Sequence, residues 1–335
     1  CSGWKKRCQK SRKDYKENIK VKLIILFNIL IKKKILVTGA AGFIGSKICT
    51  ELIRRKFTVI GCDDFSTGSK KNIHKGIKFI KVDLSNKKAI TKLPKNIDYI
   101  FHLAGQSSGE KSFEDPLDDL NRNFISTYNL ISYAKENHIK NFFYASSMSV
   151  YGDTVRKARV KDFCKPLSYY GLHKKLSEDY IIKNLNNFNF IIFRMFNVYG
   201  PGQDLFNEKQ GMVSIYLASI LKKNKIIVKG SVNRYRDLIY IDDVVDIWIE
   251  GLKNKRMKNK IINLGTGQKT KVSQMLEILK KLHIKKSKII IKKNTPDDQQ
   301  GIYADKSIFR LVHKKKFIGV KEGFQRFYNW AKKNN

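Results

Sequence analysis

Acidic residues are few in this 335-residue chain: 29 Asp and Glu stand against 68 Lys and Arg, a formal charge of +39. Cysteine is scarce too. Its five copies form no C-x-x-C pair, which excludes a disulfide-built scaffold. Cys49, Cys62 and Cys164 fall in or near expected elements, so a reducing, cytoplasmic setting is expected. No internal repeat or low-complexity linker interrupts the chain, and no metal is expected. The apolar stretch 23–31 is broken by Asn28 and falls short of the roughly 20 residues that a bilayer span needs. No small-residue cleavage site follows it, which argues against a signal peptide. With 42% hydrophobic residues the chain is nonetheless globular rather than disordered.

The excess of positive charge admits two readings. It can mark a polyanion-binding protein, with RNA or anionic lipid as partner. It can also be compositional: Lys far exceeds Arg, Ile and Asn are abundant, and the basic residues are spread along the whole chain. The second reading is preferred. No specific nucleic-acid partner is expected, only weak, salt-sensitive binding to polyanions. The first 34 residues stand apart, with twelve basic residues against Asp14 and Glu17. Residues 1–32 are read as a basic leader outside the fold, in which 23–31 offers at most a membrane-surface contact. The folded unit is expected to begin near Lys33.

The most informative run is Lys34-Ile35-Leu36-Val37-Thr38-Gly39-Ala40-Ala41-Gly42-Phe43-Ile44-Gly45. An aliphatic strand ends in Thr-Gly, glycines follow in GxxGxxG spacing, and an amphipathic stretch starts at Ser46. This is the strand, tight turn and helix of a dinucleotide site. Gly39 permits the turn, Gly42 lets the backbone approach a pyrophosphate, and Gly45 lets helix pack on strand. The helix N-terminus offers free N–H groups to the phosphates. A second expected strand, 57–62, ends in Asp63-Asp64, where a ribose 2′-hydroxyl is bound. Two carboxylates there repel a 2′-phosphate, so NAD is favoured over NADP. Further expected strands, 77–82 ending in Asp83-Leu84 and 97–103 ending in Ala104-Gly105-Gln106, alternate with helical stretches. The fold class is therefore α/β: a Rossmann-type doubly wound parallel sheet with its ligand at the carboxyl edge.

A later expected strand, from Asn141, ends in Ala145-Ser146-Ser147, and Tyr170-Gly171-Leu172-His173-Lys174 follows Gly152 by eighteen residues. Tyr170 and Lys174 at i and i+4 share one helix face. An ammonium beside a phenol favours the phenolate, and a general base needs a pKa nearer neutrality than that of free tyrosine. Ser147 at the strand end can hydrogen-bond the oxygen being converted.

In this order the segments resemble the extended short-chain dehydrogenase/reductase superfamily, and within it the NAD-dependent nucleotide-sugar epimerases and dehydratases. The resemblance covers roughly 33–330. It includes the glycine loop, the strand end His102-Leu103-Ala104-Gly105-Gln106, Asp115-Pro116 with Asn123 and Thr127-Tyr128-Asn129-Leu130, the run Arg194-Met195-Phe196-Asn197-Val198-Tyr199-Gly200-Pro201, and Arg236-Asp237-Leu238-Ile239-Tyr240. Ser126 stands where that family usually has Gly. The resemblance implies a Ser147–Tyr170–Lys174 catalytic triad. It implies NAD contacts from Gly39, Gly42, Phe43, Ile44, Gly45, Asp63, Asp64, Asp83, Leu84, Leu103, Ala104, Gly105, Asn123 and Phe196, with Tyr170 and Lys174. UDP-sugar contacts are implied for Gln106, Ser147, Asn197, Arg236, Asp298 and Ile302. Thr295 stands where the family often has Arg, which leaves one phosphate contact unassigned.

The resemblance also implies a Rossmann lobe at 33–193 with return segments near 236–252, a smaller discontinuous C-terminal substrate lobe in 194–335, and a homodimer built through a helix pair. Met148 and Ser149 lack the acid and base of the family's dehydratases, and Ser149 lacks the Glu common in its decarboxylases. Inversion at C4 of a UDP-hexose through a transient 4-keto sugar is the expected reaction. A sister reductase, decarboxylase or dehydratase of the same fold is the nearer alternative, and a non-enzymatic polyanion (RNA) binder the more distant one. Ile302 aligns with a position that gates sugar size in the family's epimerases, and it leaves room for an N-acetylhexosamine or hexuronate.

Overall fold

Ile35, Leu36 and Val37 have no exposed surface, as a strand covered on both faces by helices requires. They belong to a computed structural model that describes residues 33–154, 156–207, 210–223, 225–283, 287–293, 300–312 and 316–334. The basic leader with its stretch 23–31, and Asp298, lie outside the described residues.

Strands β1 (Lys34–Thr38), β2 (Thr58–Asp63), β3 (Lys78–Lys81), β4 (Tyr99–His102), β5 (Asn141–Ser147) and β6 (Asn189–Met195) form one sheet with the strand Lys260–Leu264. Its order is Lys260–Leu264, β6, β5, β4, β1, β2, β3, and every pairing is parallel. The chain therefore builds outward from β1 in one direction and then returns to build from it in the other. That reversal opens a crevice beyond the carboxyl ends of β1 and β4.

Alternation along the strands fills two cores. Phe101, Phe143 and Phe193 point to one face and pack around Trp248, with Phe101 and Phe143 stacked at 4.8 Å. Leu36, Ile100, Phe142 and Ile192 point to the other, against Leu130, Ile131 and Ile181 of the helices Ser126–Glu136 and Tyr169–Lys183. Each fully buried Phe contributes about 1.5–3 kcal/mol.

The returning segment contains the helix Ile241–Glu250, which packs on Phe43–Arg54 with Arg55 and Asp246 3.3 Å apart. The strand Lys260–Leu264 follows it and closes the sheet beside β6. Nothing in that short lysine-flanked run announces its pairing partner.

Asp115 accepts from Asp118 N at 2.9 Å and Pro116 occupies the first helical turn, a strong start signal. The helix then passes through a π turn at Asn121–Ile125 before continuing as Ser126–Glu136. Outside the main sheet, short strands carry the remaining expected site residues. Asn197–Tyr199 pairs with Leu238–Tyr240, and Tyr235–Arg236 lies between Thr270–Lys271 and Gly301–Ile302. Among the described residues no helix is long and apolar enough to cross a membrane.

Candidate active site

Each glycine of the loop has a distinct steric reason. Gly39 has φ +67°, and a Cβ there would lie 2.9 Å from Ala104 N. A Cβ on Gly45 would lie 2.1 Å from Gly39 O. Gly42 is the N-cap of Phe43–Arg54 and supplies no side-chain cap, so the first-turn N–H groups face the crevice as an anion site.

A cavity of about 600 Å³ runs across this loop. Asp63, Asp64, Asp83 and Leu84 line it on the β2–β3 side. Gly39, Gly42, Phe43, Ile44 and Gly45 line its middle, and Leu103, Ala104, Gly105, Gln106, Tyr170 and Lys174 line the β4–β5 side. Asn123 and Phe196 are not in its wall. Asn123 stands behind Gly105, whose Cβ would meet Asn123 Oδ1 at 2.5 Å, and Phe196 packs with Val150, Tyr151 and Ile302.

The two acidic residues differ. Asp63 accepts from Ala41 N at 3.0 Å and Phe65 N at 2.8 Å, and burial lifts its carboxyl against those bonds. Asp64 accepts from Ser66 N at 2.8 Å and pairs with Arg122 at 2.9 Å. Against the upward push of burial, these partners hold it below the usual carboxylate range. The expected wall of two bare carboxylates is thus one carboxylate, Asp63, beside a second, Asp64, that is paired with Arg122. Arg122, which also bonds Asp118 at 2.6 Å and lines the cavity, carries no sequence signal, since an arginine on a helix is ordinarily solvated.

Tyr170 and Lys174 come from the helix Tyr169–Lys183, capped by Ser168. Gly171 lets that helix touch the Met148–Tyr151 turn: its Cβ would lie 2.5 Å from Ser149 O. The contact brings Tyr170 beside Ser147, whose hydroxyl favours the phenolate. The expected tuning of the phenol by Lys174 meets a different balance. Burial pushes Tyr170 up to about 12, and Ser147 draws it down. Lys174 stands 5.8 Å from the Tyr170 ring centroid, donates to Ala145 O at 3.0 Å, and is itself lowered by burial to about 8.

Behind the site, His102 bridges Thr38 Oγ1 (2.8 Å) and Thr127 Oγ1 (2.9 Å). Thr127 already donates to Asn123 O and Thr38 accepts from Leu103 and Ala104 N–H, so His102 is the neutral Nε2–H tautomer. Glu178 and Arg194, both at most 2% exposed, pair at 2.6 Å and fasten the helix Tyr169–Lys183 to β6. Arg194 therefore serves the scaffold, and Tyr151 packs on its guanidinium at 4.7 Å.

Asn197, Arg236 and Ile302 lie outside the cavity wall. Asn197 donates to Met148 Sδ and Asp237 O, each at 3.4 Å. Arg236 is buried and donates to Tyr235 O at 2.8 Å. Its neighbour Asp237 is fully buried and accepts from Thr266 N, Thr266 Oγ1, Gly267 N and Ala304 N at 2.6–3.0 Å. Ile302, paired with Arg236 across two strands, is fully buried. Gln106 lines the cavity, but its amide N–H groups go to Ser108 O and Asp119 Oδ1, each at 2.7 Å. The cavity fits a dinucleotide: the glycine loop leaves room for a pyrophosphate, and Asn123 Oδ1 is buried without a partner among the described residues, beside Gly105, where a Cβ would meet it at 2.5 Å.

The model of the NAD dependent epimerase/dehydratase family matches residues 35–265. A Methanocaldococcus jannaschii protein, provisionally named UDP-glucose 4-epimerase, is 34% identical over 306 residues, 90% of this chain and 99% of its own. The UDP-glucose 4-epimerase of Mycolicibacterium smegmatis is 32% identical over 250 residues, 72% of this chain and 79% of its own. Among solved structures, UDP-glucose 4-epimerase of Thermotoga maritima with UDP-glucose superposes with a TM-score of 0.86 at 26% identity, covering 90% of this chain and 99% of that one.

Proposed function

The chain belongs to the NAD-dependent epimerase/dehydratase family, and from that premise we propose that it is an NAD-dependent epimerase inverting C4 of a UDP-hexose. The observation that carries the reading is the meeting of Tyr170 and Lys174, with Ser147 beside Tyr170, at one end of a crevice whose middle is the glycine loop. A protein that only bound polyanions would need no such triad.

NAD, when bound, supplies the hydride acceptor and donor and a positive charge that favours the phenolate. The chain's residues do the rest. Tyr170 takes the proton from the sugar 4-hydroxyl and returns it after the 4-keto sugar has turned over in the site. Ser147 donates to the oxygen as charge develops on it. Lys174 holds an ammonium within 6 Å of the Tyr170 ring. Gly39, Gly42 and Gly45 give the pyrophosphate access to the helix N-terminus, and Asp63 holds the adenosine ribose. Asn197 and Arg236 bind the UDP diphosphate, Asp298 the uridine ribose, and Ile302 bounds the sugar pocket. Gln106 acts by positioning, since its amide is already engaged.

Purified protein is incubated with UDP-glucose, UDP-N-acetylglucosamine and UDP-glucuronate without added cofactor and followed by NMR. Formation of a C4 epimer, lost in Tyr170→Phe, supports the reading. No conversion of any of the three by protein carrying NAD overturns it in favour of a sister reaction.

The partner proposed is a second copy of this chain. Phe113, Leu117, Tyr128, Leu172 and Leu176 are 41–66% exposed on helices that pack together, and the Tyr180 ring bridges Phe124 and Tyr128. Leu172→Lys with Leu176→Lys is expected to halve the mass measured by light scattering. A cytoplasmic setting belongs to the same reading, given that Cys49, Cys62 and Cys164 are free thiols.

A further inference from the structure

His173 lies between Tyr170 and Lys174 in sequence, on a helix whose catalytic face is already accounted for, yet it is 7% exposed. Its Nδ1 meets Asp119 Oδ2 at 2.6 Å, across 54 residues of sequence. Asp119 is 1% exposed, and its other oxygen accepts from Gln106 Nε2 at 2.7 Å and Asn123 Nδ2 at 2.9 Å. One buried carboxylate therefore joins the loop after β4, the π turn and the catalytic helix. The π turn adds a second tie, because Asn123 O accepts from both Thr127 Oγ1 and Ser177 Oγ.

The charge matters as much as the bonds. Lys174 is 4% exposed, and among the described residues its one direct hydrogen bond is to the carbonyl of Ala145. An ammonium so placed needs a counter-charge nearby. Glu178 is committed to Arg194, His102 is neutral, and Tyr144 offers only its ring face at 5.0 Å. Asp119 remains. The Cβ position of Gly105 is 3.3 Å from Lys174 Nζ and 2.5 Å from Asn123 Oδ1, and the Asn123 amide donates to Asp119. A single side chain thus separates the ammonium from the carboxylate.

We propose that Asp119 and His173 are positioning residues for the reaction: their hydrogen bond sets the catalytic helix against the Gln106 loop, and Asp119 supplies the negative charge that balances the buried Lys174 ammonium. This rests on the epimerase reading for its kinetic arm alone. The same carboxylate opposes ionisation of Tyr170 and favours protonation of Lys174. One carboxylate thus acts on both groups, against the phenolate and for the ammonium.

Asp119→Asn keeps the shape and removes the charge. His173→Asn keeps an N–H donor for Asp119, and His173→Phe removes it. The first readout needs no substrate: the ultraviolet absorbance of tyrosinate is followed against pH, and the Tyr170 contribution is taken as the difference from the same protein carrying Tyr170→Phe. Tyr170 is expected to ionise at lower pH in Asp119→Asn and at unchanged pH in His173→Asn. In the kinetic arm, kcat of Asp119→Asn is expected to fall roughly tenfold with KM little changed, and its alkaline limb to move to lower pH as Lys174 loses its counter-charge. His173→Phe is expected to lose kcat similarly, while His173→Asn stays within about threefold of wild type. Folded Asp119→Asn with unshifted Tyr170 ionisation would overturn the charge role, and His173→Phe with wild-type kcat the positioning role. If the wild type turns over no sugar nucleotide, the epimerase reading fails while the absorbance titration still decides the charge role.

Discussion

Gly45→Ala is the sharpest perturbation of the cofactor crevice. The added Cβ would sit 2.1 Å from Gly39 O, 2.8 Å from Gly39 C and 3.3 Å from Ala40 Cα. Ordinary carbon–oxygen contacts begin near 3.2 Å, so helix and loop must part by about 1 Å. The loop cannot yield, because Gly39 is already against Ala104 N. The helix Phe43–Arg54 must move instead, and its inner residues Ile48, Cys49 and Leu52 are fully buried. Overpacking of this kind costs about 1–3 kcal/mol. A misplacement of ~1 Å can cost roughly 100-fold in rate, so turnover should fall by about that factor and NAD should be held more weakly. The assay is bound NAD per chain after gel filtration, with Kd by calorimetry and Tm by circular dichroism. Wild-type NAD content and an unchanged Tm would refute the steric reasoning.

Other perturbations separate scaffold from chemistry. Asp237→Ala strands the N–H groups of Thr266, Gly267 and Ala304, at about 1–3 kcal/mol each where water cannot enter; a loss below about 1 kcal/mol in urea unfolding would show that the four bonds are not needed. Glu178→Gln leaves Arg194 buried without its counter-charge and should cost about 3–5 kcal/mol, read by the same unfolding. Burial, with the nearby Lys174 charge, lowers His102 to about 3. Because the unfolded chain binds that proton more readily, stability is complete above the unfolded value of about 6.5 and falls by up to about 1.4 kcal/mol per pH unit as pH drops toward the folded value. His102→Gln should flatten that part of the stability–pH curve; an unchanged slope would assign it elsewhere. Ile302→Tyr overpacks a closed cluster at about 1–3 kcal/mol. It should also reduce turnover of UDP-N-acetylglucosamine more than of UDP-glucose, whereas equal loss on both would defeat the sugar-size reading.

Much of the fold was legible because its signals are local. The strands at 57–62, 77–82 and 97–103 appear within a residue or two as β2, β3 and β4, since aliphatic runs ending in Asp or Ala-Gly specify both the strand and its exit. The strand Lys260–Leu264 was not legible, because five residues flanked by lysine look alike at a sheet edge and in a loop. The residues expected to hold the cofactor, from the ends of β1 to β4 and from the helix Tyr169–Lys183, line one cavity apart from Asn123 and Phe196. Arg122, Gly171 and Asp119 were not found. An arginine, a glycine and an aspartate on helices ordinarily mean a solvated face, a weak spot and a cap.

By itself the chain's sequence determined the glycine turn, the parallel sheet and the spacing of Tyr170 from Lys174, because each depends on residues a few positions apart. Tertiary structure alone decided that Asp64 pairs with Arg122 across 58 residues and that His173 meets Asp119 across 54. It also decided that burial, rather than the neighbouring lysine, governs the Tyr170 phenol. A charge becomes strong only where water is excluded, and which side chains share a dry space is set by how distant segments pack.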